Sequence, residues 1–169
     1  MLILNINGPI NAGKTTVSKL LAKMLPEALF VEIDDLLTDD EEDRLGLSMK
    51  EGWRERVDRL EKIVLQRKAD KACRFLIFAY PITREYYERW KSYEDDKTRF
   101  VNITLSPSLA VCLSNRGARD LTGWELSRIR QMYAEHYHDP EFSDMIIHND
   151  DQTPEQTAQV ILDFLKEHP

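Results

Sequence analysis

Long apolar runs are missing from this chain. None approaches the ~18 residues that a membrane-spanning helix needs, so the sequence offers no such helix. Cysteine is scarce. Cys73 and Cys112 are the only two, each in or beside an apolar segment, which reads as buried free thiols and a cytoplasmic setting. Positive charge is in deficit: 23 Lys and Arg stand against 30 Asp and Glu, a net charge of −7. A long polyanion such as nucleic acid is a poor partner for that balance. Histidines do not cluster. His136 and His138 stand two apart on a predicted helix, His148 and His168 stand alone, and none has the spacing of a metal-ligand set. Repeats and low-complexity tracts are absent. The first apolar stretch has no basic leader and runs straight into a glycine motif, so it is not read as a signal peptide. Asn102-Ile103-Thr104 matches a glycosylation acceptor but falls in a predicted strand, and it is set aside. What remains is 169 residues, 42% hydrophobic and 31% charged, which suits a single domain, 1–169, with a real core.

Residues 8 to 15 read Gly8-Pro9-Ile10-Asn11-Ala12-Gly13-Lys14-Thr15, a G-x-x-x-x-G-K-[ST] phosphate-binding loop with no mismatch. Leu2-Ile3-Leu4-Asn5-Ile6 before it reads as a buried strand. Val17, Leu20, Leu21, Met24 and Leu25 after it recur at helical spacing. Glycines at both ends let the backbone curl its N–H groups around one anion, and the helix adds its unpaired N–H groups and positive dipole end. The expected nucleotide ligands are Gly8, Asn11, Ala12, Gly13, Lys14, Thr15 and Thr16. Lys14 should reach the β- and γ-phosphates, and Thr15 should offer its hydroxyl to Mg²⁺.

Strand candidates at 2–7, 28–33, 74–80, 99–105 and 144–148 alternate with amphipathic segments, which argues a parallel sheet covered on both faces. Several helix starts are marked: Ser48 with Glu51, Thr83, Ser106 before Pro107, Thr122 with Glu125, and Thr153-Pro154 with Gln156. Ser48 opens a helix with Trp53, Val57, Leu60 and Val64 on one face. The acidic run at 38–43 reads as a solvated loop, and 92–98 as a polar surface turn.

Phe30-Val31-Glu32-Ile33-Asp34-Asp35 ends the second strand candidate. Alternation along a strand puts Glu32 and Asp34 on one face, and the carboxyl ends of parallel strands border the ligand crevice. Asp34 is the expected base and positioner of an attacking hydroxyl, Glu32 the support for the metal, and Asp35 the rival for the first role. The third strand lacks a terminal acid and leads instead to Arg84, which either clamps substrate or sits on the surface. Asn115-Arg116-Gly117-Ala118-Arg119 suits a flap: Arg119 is assigned to the transferring phosphate and Arg116 to the nucleotide. Arg54, Arg56 and Arg59 fall on different faces of their helix, so at most one or two can line a pocket.

Together these residues resemble the small-molecule P-loop kinases: the shikimate kinase, gluconate kinase and chloramphenicol phosphotransferase group. Glu32-Ile33-Asp34 stands where shikimate and gluconate kinases carry Asp-x-Asp, and Phe78–Tyr87 is similar in placement to a gluconate kinase segment. Arg116 and Arg119 fall at the group's lid arginines. Asn149–Glu155 resembles its adenine-side loop. The resemblance implies an α/β three-layer P-loop NTPase fold of the nucleoside monophosphate kinase type. Its five-stranded parallel sheet would have order 2-3-1-4-5, with a lid at about 115–125. It implies ATP and Mg²⁺ as cofactors, a small-molecule hydroxyl as acceptor, and a monomer or weak homodimer. The triple glycine of shikimate kinases after the third strand is missing, which disfavours shikimate. The gluconate kinases' lid motif is missing too, which disfavours gluconate. A nucleotide-binding regulatory protein without phosphotransfer, and a nucleic-acid 5′-hydroxyl kinase, are the alternatives.

Overall fold

Ile3, Leu4 and Ile6 are wholly buried, as expected of a strand covered on both faces. They belong to β1 (Leu2–Asn7), which pairs in parallel with β3 (Phe75–Ala79) on one side and β4 (Arg99–Leu105) on the other. The computed structural model describes residues 1–69, 73–114 and 120–168. Beyond β3 lies β2 (Ala28–Val31), and beyond β4 lies β5 (Met145–Ile147). The order is β2-β3-β1-β4-β5, all parallel, as the resemblance implies.

Two apolar clusters flank the sheet. One gathers Leu4, Ile6, Val17, Leu21 and Ile161 with α1 (Lys14–Met24) and α7 (Pro154–Glu167). The other gathers Ile3, Val57, Leu60, Val64, Phe78 and Trp90 with α3 (Met49–Ala69) and α4 (Arg84–Lys91). The stripe expected on α3 is the buried one. Its Ser48–Glu51 box is formed, as are Thr122–Glu125 ahead of α6 (Gly123–Ala134) and Thr153–Gln156 ahead of α7. Cys112 is buried as expected, whereas Cys73 is only half-buried.

Five local expectations need correction. β2 stops at Val31, and Ile33–Leu36 forms a 3-10 turn. Ile33 rolls into the core there, and Asp35 N–H bonds back to Glu32 O. The acidic run is a helix, α2 (Asp39–Leu45), capped by Thr38 and stopped by Gly46 at φ 64°. Its acids favour a helix amino terminus. The fourth crossover helix, α5 (Leu109–Leu113), is capped by Ser108 rather than Ser106, because Ser106 N–H is taken by Ile147 O in the sheet. Thr83 precedes α4 but gives no side-chain cap bond. His136 and His138 lie beyond the end of α6, with their rings stacked 6.0 Å apart.

The buried asparagines of β1 were not recognised as functional from sequence. Asn5 Nδ2 donates to Tyr80 O (3.0 Å) and Asn102 Oδ1 (2.8 Å), and Asn5 Oδ1 accepts from Tyr80 N–H. Asn7 Oδ1 accepts from Ile82 N–H (3.0 Å), and Asn7 Nδ2 donates to Thr104 Oγ1 (2.8 Å). Tyr80 and Ile82 lie past the end of β3, where Tyr80 N–H makes the last backbone bond to β1, at Ile6 O. The amides satisfy buried backbone groups there and pin the strand tips that border the crevice.

Candidate active site

The phosphate loop is built around conformations that side chains resist. Gly8 has φ 133°, and a Cβ on it would stand 2.4 Å from Leu105 O, so only glycine lets the loop cross the tip of β4. Gly13 has φ 95°, which a side chain resists although a Cβ there would meet nothing within 4 Å. Gly13 caps α1 without a side-chain bond, which leaves that helix's first N–H groups facing the opening. Asn11 sits at φ 65°, which asparagine tolerates. Its Nδ2 donates to Cys112 O (2.9 Å) and Ser114 O (3.0 Å), tying the loop to the end of α5. Buried Asn149, past β5, donates from Nδ2 to Ala12 O (3.1 Å) and holds the loop from the other flank. The sequence signal for it was the adenine-side segment, but not this bond. Thr16 is exposed at the start of α1.

Lys14 Nζ folds back onto Pro9 O at 2.7 Å. Burial pushes its ammonium down to about 8, while Cys112, Asp34 and Glu32 pull the other way. The two carboxylates named from sequence therefore act on the same lysine. They do so through the 3-10 turn, because Glu32 and Asp34 are no longer on one strand and their alternation does not apply. Glu32 lies 3.9 Å from Lys19 Nζ, and the nearby Thr15 hydroxyl favours its charged form. Burial and then the Asp34 charge raise its pKa. Asp34 and Asp35 are both exposed. A lysine, a hydroxyl and two carboxylates around an amide ring are what a triphosphate and its Mg²⁺ require.

Arg84 does not converge on this group. It pairs with Glu141 (3.2 Å), stacks on Phe142 (5.5 Å), and lines a cleft of about 510 Å³ with Thr83, Arg128, Gln131 and Tyr137. Arg116 and Arg119 lie outside the described residues.

An aromatic group at the mouth was missed, because Trp53 reads from sequence as one more core position. Tyr80 is buried at the tip of β3, its ring 5.3 Å from Trp53 and 5.9 Å from Tyr86. Burial drives the Tyr80 hydroxyl well above its ordinary range, and Tyr86 and Tyr137 add to the effect.

A phosphate loop on a 2-3-1-4-5 sheet, with acids at the neighbouring strand tip, defines a P-loop phosphotransferase. The shikimate kinase family model matches residues 10–166, and the chain belongs to that family. It is an ATP-dependent kinase that transfers a phosphoryl group to the hydroxyl of a small molecule, with Mg²⁺ accompanying the nucleotide. The fold is shared with a sugar kinase from Janibacter sp. HTCC2649 (TM-score 0.68, 17% identity, covering 98% of this chain and 94% of that one). It is also similar to a tunicamycin resistance protein from Deinococcus radiodurans (0.62, 22%, 96% and 94%). Shikimate kinase from Acinetobacter baumannii in complex with shikimate is similar as well (0.57, 21%, 99% and 93%). A search of curated proteins by sequence finds no match. Among the described residues, no helix is long and apolar enough to cross a membrane.

Proposed function

We propose the following division of labour for the phosphoryl transfer. The amides of Gly8 to Thr16, with Lys14, hold the β- and γ-phosphates. Nucleotide binding pulls Lys14 Nζ off Pro9 O and onto phosphate oxygen, where the anion restores its full charge. Thr15 and Glu32 stand where the Mg²⁺ shell would form, and the metal supplies charge neutralisation across the phosphates. Asp34 orients the acceptor hydroxyl and takes its proton as that oxygen attacks the γ-phosphorus and the bond to ADP breaks. Asp35, next in the same turn, is the rival base. Arg119 steadies the transferring charge and Arg116 the nucleotide, both from a lid at about 115–125. Arg84 contributes to the acceptor side from its cleft.

The observation that carries this reading is the joint action of Asp34 and Glu32 on Lys14, from a strand tip separated from the phosphate loop only by the tip of β3. The chain works as one domain, as a monomer or weak homodimer, in the cytoplasm and apart from nucleic acid. The scarcity of cysteine, two in the whole sequence, and the net charge of −7 support the last two points. ADP release read across a panel of hydroxyl compounds tests the whole. Slow background hydrolysis with a large rise on the true acceptor is expected. Turnover unchanged by every acceptor would leave only a nucleotide binder.

A further inference from the structure

The acceptor side has its own chemistry, and it differs from that of a site built for an acid. Tyr80 occupies a fixed place. In a sheet ordered β2-β3-β1, the tip of β3 lies between the phosphate loop after β1 and the turn bearing Asp34 after β2. Its backbone is pinned there by Asn5. The half-buried rings of Trp53 and Tyr86 pack on the buried Tyr80 ring, which backs them while part of their own surface stays open. Such faces stack against the C–H face of a sugar or a planar ring.

Among the described residues, four guanidinium groups about these rings already pair with acids, although Arg56 Nε has no hydrogen-bond partner. Arg56 is buried, lies over Trp53 (5.4 Å), and pairs with Glu42 (2.6 Å) and Asp39 (3.7 Å) of α2. Arg59 bonds Glu41, Glu55 and Leu36 O. Arg84 pairs with Glu141, and Arg128 with Glu135. Gly52 makes the first pairing possible. A Cβ there would stand 2.4 Å from the Glu42 carboxyl carbon, so the missing side chain gives Glu42 its seat against α3. A carboxylate or phosphate entering this mouth would find matched guanidinium groups and the exposed acids Asp34 and Asp35. Both oppose its charge.

We infer that the acceptor is an uncharged alcohol with a ring face, a neutral sugar or nucleoside, and that Trp53 and Tyr86, held in place by the buried Tyr80, select it by stacking. This rests on the kinase reading above and adds the substrate class.

The test is calorimetric binding to the full chain loaded with a non-hydrolysable ATP analogue. The probes are matched pairs differing only in charge: methyl glucoside and methyl glucuronoside, uridine and its 5′-phosphate, methyl shikimate and shikimate. The neutral member of at least one pair should bind tenfold or more tightly than its anion. Trp53→Ala should weaken it tenfold and Trp53→Phe should restore most of the loss, with melting temperatures confirming that both variants fold. Glu42→Gln, which frees Arg56, should raise affinity for the anionic members several-fold. Tighter binding of the anions, no binding by any neutral member, or indifference to Trp53→Ala with the fold intact would overturn the inference. ADP release on the same panel separates the two claims. Turnover of an acid alone would sink the substrate class and leave the kinase standing, whereas tight binding of a neutral ring without turnover would do the reverse.

Discussion

The proposed phosphate side of the crevice is one unbroken stretch of chain, Gly8 to Thr15, while the proposed acceptor side is assembled from the 3-10 turn, α2, α3, the tip of β3 and α4. The first is held by backbone: positive φ at Gly8, Asn11 and Gly13, and carbonyls caught by Asn11 and Asn149. The second is held by side chains: stacked rings and arginines matched to α2 acids. Binding a triphosphate needs amides in a fixed curl, which a short motif can specify. Binding a particular alcohol needs surfaces brought from distant segments.

If that division is right, single changes on the phosphate side should do the most damage. Lys14→Ala should weaken ATP by roughly a thousandfold, the scale of losing a buried charge pair (~4 kcal/mol). Calorimetry reads it, and unchanged ATP binding would undo the loop assignment. Gly8→Ala should destabilise the fold by about 2–3 kcal/mol in urea unfolding, since its Cβ would strike backbone and its φ is left-handed.

The same lysine gives a pH signature. Its folded pKa lies at about 8, and phosphate should raise it again. Below pH 8 the group is charged both free and bound, so affinity is flat. Above pH 8 the free protein has lost the proton that the complex needs, so binding takes one up. ATP affinity should then fall about tenfold by pH 9. Calorimetry in buffers of different ionisation heat should show that uptake. A flat profile from pH 7 to 9 would contradict it.

The two sides also differ in what they forgive. Gly52→Ala would place a Cβ as close to a neighbour as Gly8→Ala does, 2.4 Å in each case. At Gly52, however, the neighbour is the end of a flexible glutamate, and alanine adds about 1 kcal/mol of helix propensity. Stability should change by less than about 1 kcal/mol, and a loss comparable to that of Gly8→Ala would erase the contrast.

What the sequence made legible follows the same line. The succession of strands and helices, the loop motif, the capping boxes at Ser48, Thr122 and Thr153, and the α3 stripe are local patterns, and all appear in the fold. The acids at 38–43 were misread because their partners, Arg56 and Arg59, lie a helix away. The placement of Glu32 and Asp34 was right in location but wrong in cause. Burial of Ile33 ended the strand early and replaced alternation with a turn. Trp53 kept the spacing of a core residue while sitting at the rim, and nothing in its neighbours' sequence marks Tyr80 as its partner.

The account turns on one carboxylate facing the bound phosphate. Asp34→Asn and Asp35→Asn, compared side by side for ATP affinity and for acceptor-dependent ADP release, test it most directly. Asp34→Asn should keep ATP affinity within about threefold and lose about 10²–10⁴ in turnover, the usual share of a positioned base, while Asp35→Asn keeps most activity. Full turnover in Asp34→Asn would contradict the account.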